Sequence, residues 1–168
     1  MGHYFQKIYG KGVNMNIDTC RVETQKHIEK VRKYLRIMTD KITTRGVNHD
    51  AAKLESPEVE IFAEHTDALS QTTYGSDEYK EHLAAMKPAL DHHYATYRHH
   101  PEHFQNGVND MNLIDLVEML ADWKAASERQ RNGNLLTSIE QNAIRFKMSD
   151  QLKQILLNTV KTLDEVDQ

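Results

Sequence analysis

The chain has 168 residues, 21 Lys and Arg against 25 Asp and Glu, a formal net charge of −4 and 39% hydrophobic residues. This length is enough for one domain with a real core, and the slightly acidic balance argues against a broad phosphate-coating surface for nucleic acid while leaving room for a basic pocket. No apolar run reaches membrane-span length, and the lone Cys20 cannot close an internal disulfide, which together point to a cytoplasmic protein without a membrane partner. The composition admits a homo-oligomer without deciding it.

Residues 1–17 hold three glycines and no clear period, and read as a loosely ordered extension, with Met15 as an alternative start. Residues 18–168 read as one all-α domain, because no sustained alternation argues for strands and prolines number only three. Asp18 or Thr19 is expected to cap a long first helix running to about Thr43. On it Val31, Leu35, Met38 and Ile42 form an apolar stripe at 3-4 spacing, with His27 on the same core-facing side. Gly46 then breaks the chain, and a short helix carries His49 and Asp50. Ser56-Pro57 looks like an N-cap followed by proline at the first helical position, opening a helix to about Leu69. "QTTYGS" is a loop, after which Ser76 caps a helix through Tyr97 with a kink at Pro88. The segment "RHHPEHFQNGVN" reads as a polar loop. Asp110 is expected to cap a helix to about Arg131, "NGN" at 132–134 to turn the chain, and two helices to close it, the last opened by Ser149.

Three features carry chemistry. The helix after Asp110 bears Asp115, Glu118, Asp122 and Arg129 along one face, while both flanks of that stripe are apolar: Ile114, Ala121 and Ala125 on one side, Met119 and Ala126 on the other. A helix apolar on both sides of an acidic stripe looks buried, and buried carboxylates need a cation or strong hydrogen bonds. Ten histidines are present, seven of them between His65 and His103. Of the adjacent pair, His93 lies at the edge of the apolar face marked by Tyr79, Leu83, Met86, Leu90, Tyr94 and Tyr97, and His92 points away from it. The third feature is the His49-Asp50 doublet. On a helix the two would diverge by about 100°, so a shared ligand requires further donors elsewhere in the chain.

In chain order His27, His49-Asp50, His92-His93 and Asp122 read H…HD…HH…D. Together with "HIEKV" at 27–31, "HDAAKL" at 49–54 and "LADWKAASER" ending at Arg129, this order resembles the HD-domain superfamily of metal-dependent phosphohydrolases over about residues 18–131. The whole chain also resembles a small family of phage and bacterial proteins of unassigned function, typified by "HDAAKLESPE", "HHPEH" and "LVEML-DWKAA".

The first resemblance implies a single-domain HD-like helical bundle with a divalent transition metal (Mn, Fe, Co, Ni or Zn) held by His27, His49, Asp50 and Asp122. Asp115, one heptad before Asp122, is the reserve ligand. Branches with two metals recruit additional histidines, for which His93 and His92 are in place and His65 and His82 remain open. Lys53, one turn beyond His49, and Arg129 are the expected phosphate-facing cations. Arg98, His99, His100 and His103 rank behind them, the three histidines otherwise reading as surface. Glu118 is the expected general base or water-orienting group. Some single-metal nucleotidases of the superfamily carry a catalytic glutamate where this chain has Lys53, a departure that argues against a monophosphate substrate. The implied activity is hydrolysis of a nucleotide or related small phosphate ester through a metal-activated water. The alternatives are an HD-fold di-iron oxygenase, with a similar ligand order, and a non-catalytic nucleotide- or protein-binding module.

Overall fold

The computed structural model describes residues 16–72, 76–129 and 133–164. The extension expected over 1–17 therefore lies, up to residue 15, outside the described residues, as do positions 73–75 of the first expected loop and Asn132 of the turn. The described residues are all-α, with seven α-helices joined by short 3-10 turns and no strand among them.

The chain divides into two units, 1–41 and 42–168. The described part of the first unit is most of a single helix, α1 (Ile17–Asn48), which runs past Gly46 instead of ending before it. One glycine costs a helix only about 1 kcal/mol, and Asn48 back-bonds to the Thr44 carbonyl across that position. Asn16 caps the start by accepting from Thr19 N. The apolar stripe expected to face a core is exposed: Val31, Leu35 and Met38 are 42%, 57% and 48% accessible, and α1 buries no residue. His27 is exposed with them. Periodicity reports that a helix is one-sided, and a lone helix has nothing of its own on which to pack that side.

In the second unit α2 (Glu58–Gln71), α3 (Asp77–Ala85) and α4 (Lys87–Thr96) pack on one another. Ser76 caps α3 by accepting from Tyr79 N. Pro88 sits in the first turn of α4, and the kink expected there is a full break at Met86, because proline has no N–H to give the preceding turn. The next helix, α5 (Leu113–Glu128), is capped by Asn112 in place of Asp110, with Asp115 completing a capping box by accepting from Asn112 N. Asp110 is already engaged, accepting from the backbone and side chain of Asn106. Helix α6 (Leu135–Arg145) and helix α7 (Asp150–Asp164), the latter opened by Ser149 accepting from Leu152 N, close the described chain.

Met119 and Leu120 of α5, Leu135 and Ile139 of α6, and Leu156 and Val160 of α7 form the apolar core. α5 buries Asp115 and Glu118 alongside Met119 and Leu120, and leaves Leu113 and Val117 exposed. Its acidic stripe thus faces inward, as its apolar flanks suggested. Ile139 is completely buried at the centre of this core. Ile139→Ala should destabilise the protein by about 2–5 kcal/mol, read as a lowered denaturation midpoint. An unchanged midpoint would mean that this cluster does not hold α5, α6 and α7 together.

Candidate metal centre

His49 and Asp50 converge because they are not on a helix. α1 ends at Asn48, and Asp50 adopts φ 54° and ψ 17° ahead of a 3-10 turn, Ala51–Leu54. Aspartate is among the few side chains that tolerate the left-handed region, and here it reverses the angular step between neighbouring residues. Both side chains then meet Asp122 on α5: His49 Nε2 lies 3.6 Å from Asp50 Oδ2 and 3.6 Å from Asp122 Oδ1.

The other face of Asp50 meets histidines from α4 and the loop after it. Its Oδ1 is 3.2 Å from His93 Nε2 and 3.5 Å from His99 Nε2, and His93 Nε2 is 2.9 Å from His100 Nε2. Most of these separations exceed a hydrogen bond, and they lie close to those of ligands sharing one ion: two donors about 2.1 Å from a metal stand roughly 3.0–3.4 Å apart at angles between octahedral and tetrahedral. Among the described residues three groupings could hold a metal: Asp50, His93, His99 and His100; His49, Asp50 and Asp122; and His49, His99 and Glu118. Asp50 belongs to the first two, one oxygen turned to each. Its Oδ1 and both ring nitrogens of His99 are buried without a hydrogen bond, which suits atoms meant for a cation.

The imidazoles are oriented from behind by glutamates. Glu58, fully buried at the start of α2, accepts from Nδ1 of His92 at 2.7 Å and of His93 at 2.9 Å. Glu118 Oε1 accepts from Nδ1 of His49 at 3.1 Å and lies at the same distance from His99 Nδ1, there without the geometry of a hydrogen bond. An Nδ1–H given to a carboxylate leaves the Nε2 lone pair free to face the aspartates, the usual support for a metal-binding histidine. Glu118 Oε2 accepts from Arg45 at 3.0 Å, so in this geometry Glu118 positions rings. Asp115 is held apart from the cluster. It is fully buried, accepts from Arg98 at 3.1 and 3.0 Å, and pairs closely with Arg45.

Charge follows the same plan. Burial pushes the His99 imidazole below its ordinary pKa, and burial with the neighbouring His99 and His93 rings lowers His100 to about 3, so both are neutral. Asp122, opposed by burial and supported by Glu118 and Asp50, raises His49 to about 9. Asp50 is held well below the usual carboxylate range: burial opposes this, but His93 and Lys53 outweigh it. Asp122 is likewise lowered, the His49 contact overcoming its burial. Five carboxylates (Asp50, Glu58, Asp115, Glu118 and Asp122) thus face three permanent cations, Arg45, Arg98 and Lys53. The His49 proton makes up part of the deficit, and a divalent ion would replace it.

The residues named from sequence divide clearly. His49, Asp50, Asp122, His93 and Glu118 come together. His27 is exposed in the N-terminal unit and belongs to none of the groupings. His92 reaches Glu58 from a half-exposed position, and Asp115 is committed to arginines. Lys53 Nζ contacts Asp50 Oδ2 at 2.7 Å. Arg129 is exposed at the C-cap of α5. His65 and His82 face one another, Nδ1 to Nδ1 at 3.3 Å, outside the groupings. Of the three loop histidines, at least one of which was expected at the surface, His99 is 1% exposed and His103 donates to the Tyr94 carbonyl. Sequence reading missed Glu58, which holds the His92 and His93 rings, and Arg45, which holds Glu118 and Asp115, and it ranked His99 and His100 too low. Arg45 stands one turn before His49, and the two histidines lie in the His-rich stretch, but Glu58 carries no local signal.

Asp122→Asn should therefore lose bound metal. Asp115→Asn should keep it and instead lower stability by about 3 kcal/mol by breaking a buried ion pair. Metal analysis and denaturation of both variants test the split, and reversed outcomes would make Asp115 the ligand. A pH dependence follows as well. Because folding raises the His49 pKa from 6.5 to about 9, its contribution to metal-free stability is complete below about 6.5 and fades as pH rises through about 9. Metal affinity should move oppositely, tightening up to about pH 9 as the proton leaves. Melting of chelator-treated protein and metal titrations across that window would expose either trend as absent.

One sequence-family profile, described as a family of unknown function (DUF5662), matches residues 16–162. No curated protein and no solved structure matches the chain. With nearly its whole length covered, the chain belongs to the DUF5662 family of unknown function.

Proposed function

We propose that this protein is a metal-dependent phosphohydrolase acting on a nucleotide or a related small phosphate ester. One observation carries the reading: three imidazoles, those of His49, His93 and His99, present Nδ1 to a buried glutamate and Nε2 to Asp50 or Asp122. Such a mixed nitrogen and carboxylate set suits Mn, Fe, Co, Ni or Zn. The H…HD…HH…D order and its resemblance to the HD-domain phosphohydrolases support the same class, with His99 and His100 taking the part expected of His27.

A divalent ion held by these residues would supply Lewis acidity toward a phosphoryl oxygen and lower the pKa of a water. The chain's own groups do the rest. Glu58 and Glu118 fix the ring tautomers and angles. Lys53, in contact with Asp50 and half-buried beside Phe62, is the cation assigned to the phosphate. Arg45 pairs with both Glu118 and Asp115, and Arg98 with Asp115.

The test is phosphate release from a panel of nucleotides and other small esters by protein stripped of metal and reloaded with Mn²⁺, Co²⁺ or Ni²⁺. Release should require metal. It should fall in Asp50→Asn and Asp122→Asn by more than the roughly 10–100-fold that losing a supporting residue costs. Asparagine also tolerates the left-handed backbone at position 50, so the fold is retained. No release under any metal, or full activity in both variants, would reject the reading. The surplus of imidazole over carboxylate favours one second reading, a di-iron oxygenase. Oxygen uptake by iron-loaded protein without phosphate release would select it.

A further inference from the structure

A cleft of about 540 Å³ opens beside the cluster, within the range of about 300–1,000 Å³ typical of small-ligand sites. His100 and Asp122, both in the metal-holding groupings, belong to its wall. At one edge the turn ahead of α6 approaches the end of α5 so closely that a Cβ on Gly133 would collide with the Ser127 carbonyl. The rest of the wall is chemically consistent. Trp123 and Phe146 present rings within 10° of parallel, centroids 6.4 Å apart. Neutral hydrogen-bonding side chains, chiefly Thr137, Gln141 and Asn142, share the wall with them. The cleft's arginine, Arg145, lies over the Phe146 ring and is paired with Glu102 at 2.7 Å.

This chemistry selects an occupant. The Arg145 charge is balanced by Glu102, so the cleft offers little to a further phosphoryl group. Its polar lining gives no continuous apolar wall for an acyl chain. Flat aromatic faces among neutral donors and acceptors fit an uncharged, ring-bearing, hydroxylated molecule. A second cleft of about 250 Å³, also lined by Asp122, is mostly apolar, with Ile42, Ile114, Val117, Ala121 and Ala125 beside the charged Arg45, His49 and Glu118, and it lacks the neutral donors and acceptors of the first.

We propose that the polar cleft is the leaving-group subsite and takes an uncharged ring-bearing alcohol, for which a nucleoside is the probe. This rests on the phosphohydrolase reading. The phosphoryl group of the ester lies at the His/Asp cluster and its alcohol portion in the cleft. The oxygen of one water forms a bond to phosphorus, the bond from phosphorus to the alcohol oxygen breaks, and that oxygen leaves with a proton. The products are the free alcohol and inorganic phosphate; the cleft thus selects the monoester that Lys53, standing in place of a glutamate, argued against.

Trp123 is the sole tryptophan of the chain, so its emission reports occupancy without turnover. Adenosine titrated into wild-type protein should quench it saturably, and the quench should persist in Asp50→Asn. Thr137→Leu combined with Gln141→Leu, both at exposed positions of α6, should weaken adenosine binding by about tenfold or more. The same pair should raise KM for an adenosine phosphate and leave hydrolysis of glycerol phosphate unchanged. Phosphate release from glycerol phosphate with no adenosine quench would overturn the subsite and leave the hydrolase reading standing. Equal loss on both esters would also overturn it. Adenosine quench without phosphate release from any ester would reject the hydrolase reading and support the cleft as a ring-binding site.

Discussion

Glu58 and Asp115 are fully buried and Glu118 nearly so, and the rest of the structure follows from keeping those carboxylates compensated. An isolated buried charge is costly enough that it would shift its pKa or unfold its surroundings. Each here has a specific answer. Asp115 caps its own helix and binds two arginines, Glu118 takes one arginine and the His49 imidazole with the His99 ring beside it, and Glu58 takes two imidazoles. These pairings tie the end of α1, the start of α2, α4 with its following loop, and α5 to one another. The candidate metal centre is the inner surface of that network, where ring nitrogens turned away from glutamates meet Asp50 and Asp122.

The backbone contributes as much as the side chains. With φ 54° at Asp50 the chain leaves α1 and turns into the 3-10 segment within two residues. A doublet that a helix would splay is brought to one point. Asp50 then spans two groups of donors, one oxygen toward His93 and His99 and the other toward His49 and Lys53. Its role depends on conformation before it depends on chemistry.

Local rules carried far in the sequence. Ser76, Pro88 and Ser149 mark real helix boundaries because caps and prolines act within one turn. The inward acidic stripe of α5 was legible from its apolar flanks, and the preference for His93 over His92 from the phase of α4. The failures are tertiary. Asp110 and Asn112 are both plausible caps, and only the side-chain bonds of Asp110 to Asn106 decide between them. Glu58 looks like an ordinary acidic residue in a helical first turn until α4 covers it. His27 shares a periodic stripe with Val31 and Leu35, yet nothing in a period says what, if anything, lies against it.

The span of the central contacts has a kinetic meaning. Arg45 and Glu118 are 73 residues apart, and His49 and Glu118 are 69 apart, whereas the caps and hairpin-like helix pairs join near neighbours. Closing a loop of that length costs more entropy than any local turn and yields nothing until both ends are in place. The helices should therefore form ahead of the centre during folding, with the ligands brought together among the last events. The reverse holds for opening: freeing the end of α1 would separate His49 and Asp50 from Asp122 while the core of α5, α6 and α7 stays packed.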